Sequence, residues 1–281
     1  MRIVTDGHTF LEGPRWRDGR LVMSDFFTGR VLSVDPASGE VETVVQLDGD
    51  WPSGLGWLPD GRLLVVSMQR RQLLRQEPDG GLVVHADLSE LASFHCNDMV
   101  VDATGRAYVG NFGFDLNAPD PQPAQAELIR VDPDGTATVE DDDMAFPNGS
   151  VVTPDGSTLI VGQSMGSDLV AFTIGADGSL SDRRVWADLG ELVPDGICLD
   201  AEGAVWFADP RVGGVHRVAE GGELLQTVDT DRPAFACMLG GDERRTLFAL
   251  TSASSHPDAA PEARSARVEA VEVDVPGAGL P

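Results

Sequence analysis

One phrase recurs along this chain and limits what the chain can fold into. It is a polar turn, usually with glycine, followed by large apolar residues and then often a small one. The copies are Asp18-Gly19-Arg20-Leu21-Val22-Met23-Ser24, Asp60-Gly61-Arg62-Leu63-Leu64-Val65-Val66 and Thr104-Gly105-Arg106-Ala107-Tyr108-Val109-Gly110. Asp155-Gly156-Ser157-Thr158-Leu159-Ile160-Val161 and Glu202-Gly203-Ala204-Val205-Trp206-Phe207-Ala208 follow, with a degraded sixth, Glu243-Arg244-Arg245-Thr246-Leu247-Phe248-Ala249. Their anchors at 19, 61, 105, 156, 203 and 244 are spaced by 42, 44, 51, 47 and 41 residues. Repetition at a period in this range belongs to solenoids, propellers and similar arrays.

A second phrase decides among these. After each of the first five copies comes another strand, a tight turn and a further strand, as in Leu128-Ile129-Arg130-Val131 before Asp134-Gly135, or Val215-His216-Arg217-Val218 before Gly221-Gly222. Asp-Gly and Gly-Gly pairs supply the positive φ of hairpin turns, and the flanking Val, Leu, Ile and Phe carry no long helical period. Each repeat therefore holds about four short antiparallel strands, which predicts an all-β, six-bladed propeller occupying residues 1–281 as a single domain. A β-sandwich has no need of six equal repeats. One blade cannot cover both of its own faces, so the ring must close. The sixth copy runs only as far as Val268–Val273 in strand-like sequence, and Ile3–Phe10 are expected to supply its missing strand and close the ring.

Composition narrows the partners. Asp+Glu number 46 against Lys+Arg 20, all of the latter arginine, for a formal charge of −26. Such a surface repels nucleic acid and anionic membranes, which leaves a small-molecule substrate as the expected partner; oligomeric state is not readable. Cys96, Cys198 and Cys237 are three and widely spaced, so they read as small buried hydrophobes rather than a disulfide framework. The N-terminus has no apolar signal-like region and no segment approaches a membrane span, so a cytoplasmic location is expected.

The repeat also puts polar residues in register. Eight residues before the turn glycine stand Ser53, Asn97, Asn148 and Asp195 in copies two to five; Glu12 lies seven before it in the first, and Phe235, nine before Arg244, takes the place in the sixth. If this position opens the innermost strand of each blade, Glu12, Asn97, Asn148 and Asp195 converge on the central channel. Asn and Asp singly are common turn formers. Their agreement across blades is what needs a further cause. Two carboxylates buried together are costly without a counter-charge, and a divalent cation removes that cost. An all-oxygen donor set suits Ca²⁺ foremost, with Mg²⁺, Mn²⁺ and Zn²⁺ also compatible.

Glu12-Gly13-Pro14-Arg15-Trp16, Asn97-Asp98, Phe146-Pro147-Asn148-Gly149 and Pro194-Asp195-Gly196-Ile197, in this order and spacing, resemble the SMP-30/gluconolactonase/LRE-like family of regucalcin and bacterial sugar lactonases. The resemblance spans nearly the whole chain. It implies a six-bladed propeller with one divalent metal held by Glu12, Asn148 and Asp195. It implies that Asn97 binds substrate or meets the metal through water, and that Asp195 is the general base. Sugar-lactone members often carry Arg two residues before the Asn that matches Asn97. Here that residue is His95, which stands as a substrate contact, a proton relay or a rim histidine and puts a sugar substrate in question. The implied activity is a metal-dependent hydrolase of carboxylic esters that opens a lactone. The alternatives are a propeller enzyme with the same metal and another reaction, phosphotriesterase-like or in a natural-product pathway, and a non-catalytic Ca²⁺-binding propeller.

Other signals are weaker. Gly162-Gln163-Ser164-Met165-Gly166 matches a nucleophile-elbow pattern, but the elbow needs a strand-to-helix turn, and Leu169–Ile174 reads as a strand. Asn111–Glu127 is the longest irregular insertion; with Phe112, Phe114 and Leu116 it is a candidate lid. Ser252–Arg264 is a second loop able to edge the same mouth.

Overall fold

The computed structural model describes residues 1–279. Among them the chain forms six four-stranded antiparallel sheets arranged as the blades of a propeller. Each begins with an innermost strand: Leu11–Arg17, Pro52–Trp57, Cys96–Val101, Pro147–Val152, Ile197–Leu199 and Ala234–Gly240. Each repeated turn joins that strand to the second of its blade. The anchor glycines all lie in the left-handed region, at φ 77 for Gly19, 87 for Gly61, 90 for Gly105, 72 for Gly156 and 79 for Gly203. This is why glycine recurs there. The degraded sixth copy keeps the same bend with Arg244 at φ 55.

Ring closure follows the expectation. Arg2–His8 pairs antiparallel with Ala266–Glu272 and becomes the outermost strand of the sixth blade, whose other strands come from the C-terminal end of the chain.

Burial falls from the axis outward. The innermost strands are almost wholly buried, whereas outer strands such as Val41–Gln46 and Leu224–Val228 are mostly exposed. The outer strand of the third blade, Ala137–Met144, carries Glu140, Asp141, Asp142 and Asp143, and charge of this kind on an edge discourages pairing with another chain. Apolar layers fill the space between blades, as where Leu21, Met23, Trp206, Phe248 and Leu250 share one core. All three cysteines are free and buried, with the Cys198 and Cys237 sulfurs 3.8 Å apart. No helix among the described residues is long and apolar enough to cross a membrane.

Candidate functional site

The same step is taken at the start of every blade. Glu12, Ser53, Asn97, Asn148 and Phe235 are each the second residue of an innermost strand, and Asp195 lies two residues before its strand begins. A break in strand register follows in five of the six blades, between Glu12 and Arg15, Pro52 and Leu55, Cys96 and Met99, Pro147 and Ser150, and Ala234 and Ala236. A bulge re-aims the side chain beside it. The residue after the polar one is glycine in four blades and alanine in the sixth, because neighbouring blades nearly touch here. A Cβ at Gly149 would stand 2.3 Å from the Ile197 nitrogen and 2.7 Å from the Asp195 carbonyl oxygen. That approach lets the Gly149 N–H donate to the Asp195 carbonyl at 3.1 Å, locking the fourth blade to the fifth beside the hub.

Four of the expected site residues thereby meet. Glu12, Asn97, Asn148 and Asp195 are all buried and all line one cavity of about 330 Å³ at the channel mouth. His95 is not brought to its wall. Its ring is stacked on Phe94 at 4.2 Å, with Trp51 at 6.3 Å and Phe112 at 6.4 Å. Ser164 lies in a hairpin turn between strands Thr158–Gln163 and Asp168–Ile174, so no nucleophile elbow forms. Its hydroxyl donates to the Pro194 carbonyl at 2.7 Å and accepts from the Asn148 amide nitrogen at 3.2 Å, which ties two candidate ligands of neighbouring blades together.

The electrostatics are lopsided. Burial foremost, then the charges of Asp195 and Asp98, push the Glu12 carboxyl well above the usual carboxylate range, against the opposing Gly13 N–H and Arg15. Burial foremost, then Asp98 and Asp209, likewise push Asp195 well up, with the Asn148 amide opposing. Asp195 Oδ1 is buried with no hydrogen-bond partner. Asp209 is different: the backbone N–H groups of Val193, Arg211 and Val212 satisfy it. A hub with two carboxylates, a buried oxygen lacking a donor, and an amide beside them fits a hard cation, the condition that relieves buried like charges. No group of three or more His, Cys, Asp and Glu side chains among the described residues is placed to hold a metal, so a cation here depends on the amide oxygen of Asn148 as well as the carboxylates.

Two features are assembled from partners that the repeat does not relate. The first is the ion pair beneath the hub. Arg15 donates to Asp98 at 3.1 Å, to the Leu55 carbonyl at 3.0 Å, to the Pro14 carbonyl at 2.8 Å and to the Met99 carbonyl, joining three blades. Both residues lie in the quoted motifs, but their partnership spans 83 positions. Asp98 occupies the place where four other blades have glycine, and that exception was its only mark. The second feature is the wall. Phe10, Phe26, Phe27, Trp51, Phe112, Phe146 and Phe235 all line the cavity. The 112–125 loop contributes Phe112, Leu116 and Asn117 to it, and the loop from Ser252 contributes Ser255 and Pro257, so both insertions border the mouth; Phe114 is buried against Phe146 instead.

Residues 10–254 match the profile of the SMP-30/gluconolactonase/LRE-like region. Among curated relatives, a pentonolactonase of Haloferax volcanii is 26% identical, the match covering 100% of this chain and 96% of that one. A 6-deoxy-6-sulfogluconolactonase of Pseudomonas putida is 27% identical over 96% of this chain and 93% of its own. Among solved structures, a gluconolactonase of Xanthomonas campestris superimposes with a TM-score of 0.75 at 27% identity, covering 96% of this chain and 89% of that one.

Proposed function

The chain belongs to the SMP-30/gluconolactonase/LRE-like family, and from that premise we propose that it is a lactonase that opens a cyclic carboxylic ester at the hub, with one divalent cation held by Glu12, Asn148 and Asp195. The cation, Ca²⁺ foremost, would polarise the lactone carbonyl and stabilise the oxyanion that develops when water adds. The Asp195 carboxylate, beside the cation, accepts the proton of the attacking water and returns it to the ring oxygen as the C–O bond breaks, so that lactone and water become a hydroxy acid. Asn97, buried beside the hub, orients the lactone through its amide. Ser164 fixes the Asn148 amide, and the aromatic wall keeps bulk water from the reacting carbonyl. A formal charge of −26 favours a small uncharged substrate over nucleic acid or an anionic membrane.

The observation that carries this proposal is Asp195 itself: a buried carboxylate with an unpartnered oxygen, beside Glu12 and Asn148 at the end of a channel. The test is elemental analysis of purified protein together with lactone hydrolysis by wild type and Asp195→Ala, with and without chelator. One equivalent of divalent metal, loss of turnover on chelation and loss in the variant are expected. Metal-dependent turnover that survives Asp195→Ala ends the mechanism.

A further inference from the structure

The hub accounts for four side chains of the cavity, and the rest of its surface poses a separate question. The rings around it form a nearly continuous collar. Phe235 meets Phe10 at 4.8 Å, Phe10 meets Phe26 at 5.2 Å, Phe27 meets Trp51 at 5.0 Å, and Phe112 stacks on Phe146 at 4.8 Å. The His95 ring comes within 6.3 Å of Trp51 and 6.4 Å of Phe112, linking these two parts of the collar. Where the fifth blade supplies no aromatic group, Val193 and Pro210 complete the wall.

No Arg, Lys or His is among the residues lining the cavity. With the two carboxylates balancing the hub cation, an anionic substrate would find no cationic side chain along the rest of the lining to meet it. A polyhydroxylated ring fares little better. Away from the hub its hydroxyls would face phenyl faces, and the polar lining that remains is Ser164, already bonded to Pro194, with Asn117 and Ser255 on the mouth loops. Each hydroxyl buried without a partner opposes binding. An alkyl or aryl group loses nothing there and gains by leaving water. The volume, about 330 Å³, lies at the small end of ligand pockets, enough for a small ring with a modest substituent.

We propose that this cavity selects neutral lactones whose ring bears an alkyl or aryl substituent seated in the aromatic collar, in preference to polyhydroxylated or anionic sugar lactones. The proposal rests on the lactonase reading for its chemistry but on the collar for its selectivity, and the two are separable by experiment.

The first arm measures kcat/KM of the Ca²⁺-supplemented protein on γ-lactones with side chains lengthened one methylene at a time, beside an aldonolactone. Each methylene should raise kcat/KM about threefold to fourfold, the fold-change of about 0.8 kcal/mol per buried CH₂, until the collar is full. The substituted lactones should exceed the aldonolactone by at least about a hundredfold. Phe112→Ser, at a half-buried position and checked for an unchanged melting profile, should flatten the series; Phe112→Leu should retain most of it. The second arm titrates 2-alkylcyclopentanones, which keep ring and carbonyl but have no scissile ester bond, and reads affinity by calorimetry. A rising affinity series with no lactone opened upholds the selectivity and sinks the lactonase reading. Equal or faster turnover of the aldonolactone overturns the selectivity and leaves the lactonase reading standing. A flat series in both arms overturns the selectivity as well.

Discussion

Two sets of buried charge lie next to one another in the central channel and are treated oppositely. In one, Arg15 and Asp98 satisfy each other: the guanidinium spends its donors on Asp98 and three backbone carbonyls, and Asp98 also accepts from the Met99 N–H at 2.8 Å. In the other, Glu12 has only the Gly13 N–H at 3.3 Å, and one oxygen of Asp195 has nothing. Burial raises all three carboxyls, but only Asp98 has a cationic side chain in direct contact. The contrast teaches what each set is for. A self-neutralised pair holds blades together. Three carboxylates and one guanidinium leave two negative charges over, which is the charge of one divalent cation, and they are left where a substrate can reach.

The comparison breaks most visibly at Asp195. Asp195→Asn keeps the shape and removes both a charge and the proton acceptor, so kcat/KM for lactone opening should fall by about 10² to 10⁴. The chelated variant should melt no lower than chelated wild type, because burial and the neighbouring carboxylates outweigh the Asn148 amide that favours the charge. A variant that melts well below wild type without metal would show the carboxylate to be a structural group after all.

On the other side of the contrast, Arg15→Met should spare the hub's donors but strand Asp98 as a buried, unpaired charge, since both side chains are under a tenth exposed. Breaking such a pair costs about 3–5 kcal/mol, to be read from urea unfolding. Adding Asp98→Asn should recover much of that loss, because it is the stranded charge rather than the missing bond that destabilises. A double variant as unstable as the single one contradicts the view that the pair neutralises itself.

How much of this was legible in the sequence follows from what repeats. Blade number, ring closure and the register of Glu12, Asn97, Asn148 and Asp195 were readable because a closed ring places equivalent positions of successive copies around one axis. The turn geometry is obeyed even by Arg244, which adopts glycine's conformation in the degraded copy. Phe235, which takes the equivalent place in the sixth copy, is likewise the second residue of its innermost strand and lines the cavity. The Arg15–Asp98 pair was not readable, and of the collar only Phe112, in the candidate lid, and Phe235, in the sixth copy, were marked. The pair and the collar depend on partners such as residues 15 and 98, or Phe10 and Phe235, that lie far apart and follow no period. His95 shows the limit most clearly. Its position next to the hub motif left a substrate contact, a proton relay and a rim histidine open, and its ring neighbours Trp51 and Phe112 come from other segments that the motif does not mark.

Metal itself sharpens the contrast. If the surplus charge at the hub is what a cation balances, Ca²⁺ at about a hundredfold over its Kd should stabilise the folded chain by about 2.7 kcal/mol, seen as a rise in melting temperature reversed by chelator. Glu12→Gln should lose most of that rise, whereas Asp98→Asn, tested together with Arg15→Met, should keep it. Equal rises in all of these would place the cation elsewhere.

The smallest effect concerns the link between candidate ligands. Ser164 accepts from the Asn148 amide nitrogen and donates to the Pro194 carbonyl next to Asp195, so it sets the direction in which the Asn148 oxygen points. Groups that orient a metal ligand are typically worth 10–100-fold in affinity or activity. For Ser164→Ala a loss of about tenfold in Ca²⁺ affinity is expected, read by calorimetry, with kcat at saturating metal changed by less than about threefold. The same variant weighs the glycine-flanked serine pattern against the geometry. A nucleophile removed costs several orders of magnitude in kcat whatever the metal concentration. A positioning hydroxyl costs affinity that added metal restores. The hairpin in which Ser164 sits, with its hydroxyl already committed on both sides, argues for the second outcome.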